Sequence, residues 1–413
     1  MKKYVIIGNS AAGLTAAKKL RDLDPASEIV CISKEKERLY NKCKLANYLA
    51  GDVQMQDVFV GAKKELEEKK ITLILGRRVE RILSDNNEIL LASEDEDTLK
   101  EKKQEKEKIS YDRLFIATGA RPLMPNIAGV RERVNGVFTF HTLQDANSIL
   151  EFIERNKPKN AVVIGAGMTG IECADALAKK GLQVSIVERG SHVLAHCCDK
   201  AGAEYIEKLM EARGVTVLRN ETVQEIISED DRVSCVALNS GKFVLADMVI
   251  FAVGVKPNID LAKEAGVKIG DFGIITDEYM KTSIKNIYSG GDAAQVKDFV
   301  NGQDMRSCTW PDACMQGMVA AQSMAGEPVA YNGALPFAVS RFLGIDFASY
   351  LTSFCHKAKY ENVVSFGDGF FYKILLEDGF VKGFLLIGDI RPLGMLRKAI
   401  LGKQKFDIKR LKV

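Results

Sequence analysis

Apolar and polar positions recur in one order along this chain. A continuous apolar run, Tyr4-Val5-Ile6-Ile7, meets a glycine at Gly8, passes into an alanine-rich stretch with helical spacing, and leads to a second apolar run ending near Ser33. From Asn160 the order returns in "NAVVIGAGMTGIECADALAKKGLQVSIVERG". Runs that are continuous rather than alternating predict parallel strands covered on both faces, and small residues in each helix suit close approach to the sheet. Strand, glycine turn, helix and strand make a βαβ unit, and the echo predicts two of them.

Beyond Gly326 the pattern changes. "FASYL" and "GFFYKILLEDGFVKGFLLIG" read as strands with a two-residue turn at Asp378-Gly379, and "LRKAILGKQ" as a closing helix. A small α+β tail domain of about eighty residues follows. Between the two βαβ units, Ser93 to Ser110 is dense in alternating charge without apolar periodicity, which predicts a solvated loop or hairpin tip. The fold class is therefore α/β, with two Rossmann-like dinucleotide-binding domains and a small α+β C-terminal domain.

Composition narrows the function. At 413 residues, 46% hydrophobic and 27% charged, the chain is too long for one core and has the balance of a soluble globular protein. No apolar run approaches bilayer length, and the N-terminal run is broken by glycine too early for a signal peptide, so no membrane association is expected. With 58 basic and 55 acidic residues the net charge is only +3, which gives no field for nucleic acid. Nine cysteines, at 31, 43, 173, 197, 198, 235, 308, 314 and 355, form no CxxC pair. Their odd number and scatter fit a reducing cytoplasm and give no metal spacing. His192 and His196 read as loop residues, and no metal site is expected.

The glycines carry chemistry. Pyrophosphate at a strand-to-helix turn is held by outward backbone amides at a helix N-terminus, and glycines let it come close. Gly165, Gly167 and Gly170 supply the whole pattern, with Met168 and Thr169 inside it, and Glu188 ends the next strand where a ribose 2′-hydroxyl would be held. That carboxylate repels a 2′-phosphate, which favours NADH over NADPH, although Arg189 beside it could receive one. The first turn departs from the pattern: Gly8, then Ser10 in the second glycine's place, then Gly13, with Ala11 and Ala12 between. Ser33 stands where an acid is expected, and Glu35 is the nearest candidate for the ribose. Two dinucleotide sites in one chain suggest a resident redox nucleotide and an exchanging one, FAD and NADH.

"YDRLFIATGARP" (111–122) and "NIYSGGDAAQV" (286–296) resemble FAD-contacting signatures of the pyridine nucleotide-disulfide oxidoreductase superfamily, and "FAVGVKPN" around Gly254 resembles the segment closing its NAD domain. The resemblance spans nearly the whole chain. It implies an FAD domain split by an inserted NAD domain: 1–122 and 256–330 for FAD, 123–255 for NAD, and 331–413 for the tail. It further implies FAD contacts from Lys42, Ala117, Thr118, Gly119, Arg121 and Asp292. Glu172 is implied as the carboxylate that orients the nicotinamide, and "CTWPDACMQGMVAAQSMAG" as a helix whose N-terminal amides face the flavin.

Within the superfamily, the disulfide reductases use a CxxxxC pair that this chain lacks. Single-cysteine members, such as NADH oxidases, NADH peroxidases and coenzyme A-disulfide reductases, carry a redox cysteine at the position of Cys43, between Lys42 and Lys44. The surrounding "YNKCKLANYLAG" and the tail more closely resemble the flavin half of NADH-dependent nitrite reductases and the rubredoxin reductases. These imply electron transfer from NADH through FAD to rubredoxin, a ferredoxin-like iron-sulfur protein or a partner redox enzyme. The alternative is an NADH oxidase, or a coenzyme A-disulfide or persulfide reductase, working through Cys43. Oligomeric state is open.

Overall fold

Strand Lys3–Ile7, helix Ala11–Leu23 and strand Glu28–Ser33 form in the order the sequence predicts. The computed structural model describes residues 1–61, 63–92, 107–130, 134–350, 360–367 and 369–411; residues 93–106 of the charged segment and Cys355 lie outside them. The described chain forms two compact units, one of Met1–Asn41, Gln56–Arg121 and Lys256–Pro336, the other of Lys42–Met55, Pro122–Val255 and Phe337–Val413.

In the first unit five parallel strands lie in the order Ile287–Ser289, Arg113–Ile116, Lys3–Ile7, Glu28–Ser33, Thr72–Leu75. Tyr4 and Ile6 turn to one face and pack with Leu14 and Leu20 of the glycine-turn helix and Val319 and Ala320 of helix Trp310–Ala325. Val5 and Ile7 turn to the other, against Ile82, Ile89 and Leu91 of an antiparallel hairpin. Alternate residues thus enter separate cores, which is why the strand is apolar without interruption. Each such side chain, removed from water, contributes about 1.5–3 kcal/mol before entropy is counted.

The second unit repeats the plan with parallel strands Val215–Arg219, Gln183–Glu188, Asn160–Ile164, Met248–Phe251 and Val137–Thr139. Helix Met168–Lys179 joins the middle pair. The tail is a five-stranded antiparallel sheet, in the order Ala338–Phe342, Ile345–Tyr350, Phe380–Gly388, Phe370–Glu377, Glu361–Gly367, with helix Leu393–Leu401. The predicted turn is present: Asp378 and Gly379 both have positive φ, 52° and 83°, as a two-residue hairpin of right-handed twist requires. Helix Trp310–Ala325 has Pro311 in its first turn and ends on Gly326 at φ 101°.

Candidate functional site

The two glycine turns have one stereochemistry. Gly8 has φ 121°, and a Cβ there would lie 2.0 Å from the Ala117 carbonyl oxygen; Gly165 has φ 104°, with the Ala252 oxygen at 2.6 Å from a Cβ. A Cβ at Gly13 would lie 1.9 Å from the Gly8 oxygen, and one at Gly170 would lie 2.0 Å from the Gly165 oxygen. The first and third positions are therefore glycine because the protein's own backbone fills the space. The second position differs: a Cβ at Gly167 meets nothing within 4 Å. Its openness explains why Ser10 is tolerated at the matching place, where it caps Ala11–Leu23 without a side-chain capping bond. Space left clear by the protein over a helix N-terminus fits a pyrophosphate. The residues present thus suit a dinucleotide at each turn.

Acids close both turns differently. Glu188 ends its strand and accepts from Ala166 N at 2.7 Å through Oε2 and from Gly190 N at 2.6 Å through Oε1, so it is tied directly to the glycine loop. In the first unit the strand ends at Ser33, and the Glu35 carboxylate accepts from the Tyr40 hydroxyl at 2.7 Å. Ser33 Oγ accepts from the Glu35 amide at 3.1 Å, which turns the chain so that the acid sits two residues late.

Ala117 and Thr118 follow strand Arg113–Ile116 and meet the return segment of the same unit. Thr118 Oγ donates to the Asn258 carbonyl at 2.7 Å, Asn258 Nδ2 returns to the Thr118 carbonyl at 2.9 Å, and Arg121 reaches Asn258 Oδ1 at 2.9 Å and Asp260 at 3.0 Å. Gly119 has φ 66°. Asp292 lies half-buried in a single turn, Gly291–Ala293, whose first amide donates to Gln316 Oε1 at 2.8 Å; Gln316 belongs to helix Trp310–Ala325. The structure thus brings Gly8, Gly13, Ala117, Gly291 and the 310–325 helix together: a Cβ on Gly291 would lie 3.2 Å from Ala12 Cβ, and Gly317 abuts Ala12.

Lys42 and Cys43 belong to the second compact unit, in the turn Lys42–Lys44 before the short helix Leu45–Ala50. Cys43 is exposed, and Lys42 Nζ lies 3.2 Å from His141 Nε2. Glu172 sits in the second turn of helix Met168–Lys179, where Ser340 Oγ of the tail sheet donates to its Oε1. Burial pushes the Glu172 carboxyl above the usual range and the Ser340 hydrogen bond pulls the other way. Gly254, at φ 101°, accepts from Leu123 N at 2.9 Å. Ser340 and His141 have no part in the motifs, and Asn258 enters them only as the last letter of "FAVGVKPN". Nothing in their local spacing marks them, because each meets its partner across a long stretch of chain.

A family model described as pyridine nucleotide-disulphide oxidoreductase matches residues 2–317. The chain is 37% identical over 341 residues to the NADH oxidase of Methanocaldococcus jannaschii, covering 82% of this chain and 73% of the relative. It is 28% identical over 417 residues to the rubredoxin-NAD(+) reductase of Acinetobacter baylyi, covering 100% of this chain and 98% of that one. Among solved structures, the NAD-dependent persulfide reductase from A. fulgidus superposes with a TM-score of 0.89 at 28% identity, over 98% of this chain and 77% of that chain. The chain belongs to the pyridine nucleotide-disulphide oxidoreductase family. It is an FAD-dependent oxidoreductase acting on NAD(P)H. No helix among the described residues is long and apolar enough to cross a membrane.

Proposed function

We propose that this protein takes electrons from NADH and delivers them to a redox protein, rubredoxin or a ferredoxin-like iron-sulfur carrier or enzyme, in the cytoplasm. The observation that carries it is the pair of glycine turns, one in each compact unit, each with first and third glycines whose Cβ space is filled by backbone. FAD, when bound, accepts a hydride from NADH and gives its electrons up again. Gly8, Ser10, Ala11, Ala12 and Gly13 bind the FAD pyrophosphate, Glu35 its ribose, and Lys42, Ala117, Thr118, Gly119, Arg121 and Asp292 the rest of its length. Gly165, Gly167, Met168, Thr169 and Gly170 bind the NADH pyrophosphate, and Gly254 borders that site. Glu188 takes the adenosine ribose and disfavours a 2′-phosphate, so NADH is preferred to NADPH. Glu172 orients the nicotinamide, and the amides opening Trp310–Ala325 hold negative charge at the flavin.

The alignment with rubredoxin-NAD(+) reductase runs the length of both chains, 100% of this one and 98% of the relative, which supports the carrier reading. An exposed Cys43 between two lysines supports the second reading, an oxidase or a coenzyme A-disulfide or persulfide reductase. The test is a steady-state acceptor screen with NADH and NADPH. Rubredoxin or ferredoxin as the fastest acceptor is expected; oxygen, peroxide or disulfide as the fastest would overturn the carrier reading.

A further inference from the structure

The hairpin Ala338–Phe342/Ile345–Tyr350 meets helix Met168–Lys179 through two hydrogen bonds of matching pitch. Ser340 Oγ donates to Glu172 Oε1, and three residues further along both elements Leu343 N donates to Asp175 Oδ2 at 3.0 Å. Residues three apart on a helix share a face, so the two acids point to the hairpin together. Their partners differ in kind. Asp175 takes a backbone amide and is buried, with Lys179 at 3.7 Å and Arg213 at 3.9 Å, so it fixes the hairpin in place. Among the described residues Glu172 accepts from a hydroxyl, that of a half-buried serine whose main chain is already engaged in the sheet opposite Phe347. The serine side chain therefore governs Glu172 without being needed to dock the hairpin.

We propose that Ser340 is a positioning residue for hydride transfer: its hydroxyl biases Glu172 toward the carboxylate and holds it in one rotamer, with the second carboxylate oxygen turned to the nicotinamide. This rests on the role proposed above for Glu172. A hydroxyl donating to a carboxylate favours the charged form and restricts rotation about its side-chain bonds. Other titratable groups border the helix. Cys173 follows Glu172 and is buried, Asp175 is paired as described, and Arg341 next to Ser340 faces Asp346 at 3.7 Å. Tyr48 lies on helix Leu45–Ala50, which packs on this one, and Glu188 and Arg219 end the strands Gln183–Glu188 and Val215–Arg219 that lie under it. Ser340 supplies the hydrogen bond that Glu172 receives from a side chain.

The experiment combines a titration with a transient rate. In the FAD-loaded protein carrying carbon-13 glutamate, the Glu172 carboxyl signal is the one lost in Glu172→Gln. Ser340→Ala should shift its protonation equilibrium roughly tenfold toward the acid, moving the midpoint to higher pH, and Ser340→Thr should restore it. In stopped flow across pH, Ser340→Ala should slow the limiting rate of flavin reduction by NADH up to about tenfold at the acid end, with little change in NADH dissociation and with recovery at high pH. Asp175→Asn should lower the melting temperature without moving the Glu172 midpoint. A Ser340→Ala titration that coincides with wild type overturns the proposal, as does an Asp175→Asn protein that moves the midpoint equally. If Glu172→Gln itself reduces flavin at the wild-type rate, the reading of Glu172 fails. A slow Glu172→Gln beside a wild-type Ser340→Ala removes the present inference alone.

Discussion

Gly13 stands so close to Gly8 that a Cβ on it would lie 1.9 Å from the Gly8 carbonyl oxygen. Backbone meets backbone there, and neither side can rotate away. Gly13→Ala should therefore cost more than the roughly 1–3 kcal/mol of ordinary overpacking and strip FAD from the purified protein. Gly167→Ala, whose methyl meets open space, should leave the melting temperature within about 1–2 °C of wild type while raising the NADH KM at least tenfold. Thermal melts, flavin absorbance and steady-state kinetics check both. Equal loss of stability in the two variants would contradict the division between glycines the fold needs and a glycine the ligand needs.

Cys43→Ser separates the two functional readings. The thiol is exposed, so its replacement should leave stability within ±0.5 kcal/mol, and carrier reduction should keep its wild-type kcat. A loss of 100-fold or more, measured with rubredoxin and with a dye as acceptors, would move the assignment to thiol chemistry.

Glu172 gives stability a pH dependence of definite sign. Its folded-state carboxyl titrates above the ordinary value because burial disfavours its charge. Folding therefore gains from this group below the unfolded carboxylate range and loses that gain as pH rises through the folded value. Glu172→Gln keeps an oxygen for Ser340 and carries no charge. Its urea midpoint should exceed wild type at pH 8 and merge with it near pH 4. A constant difference between the two proteins across that range would show that Glu172 carries no linked proton.

Asp199 serves two elements at once. Its Oδ1 caps helix Lys200–Ala212 by accepting from Gly202 N at 3.0 Å, and its Oδ2 meets Lys373 Nζ of the tail sheet at 2.6 Å. Asp199→Asn keeps a capping oxygen and leaves Lys373 without its counter-ion; Asp199→Ala loses both. Stability should fall in that order, the second step by about 1 kcal/mol, as denaturant melts would record. An alanine variant as stable as the asparagine variant would remove the capping role.

What sequence could show here depended on separation along the chain. Both βαβ units and the Asp378-Gly379 turn were legible because each is encoded in adjacent residues and their period, while the 310–325 helix was legible through the family resemblance. Glu188 was legible because a helix and a strand of ordinary lengths carry the chain from Gly170 to the strand's end. Glu35 was harder: its strand stops at Ser33, and the tie between Ser33 Oγ and the Glu35 amide is a local detour that spacing does not predict. Ser340, His141 and the pairing of Asn258 with Thr118 were invisible, since these residues meet Glu172, Lys42 and Thr118 only after the sheets have packed.

The first parallel sheet is finished by a strand encoded far from the others: Ile287–Ser289 pairs with Arg113–Ile116 after the whole segment 122–255 has intervened. On the ribosome, the early strands emerge with one bare margin, and the later βαβ unit, whose strands are all supplied from within 122–255, is free to close first. The amino-terminal nucleotide cradle thus gains its last sheet strand and its 310–325 helix only after the whole intervening segment has been made.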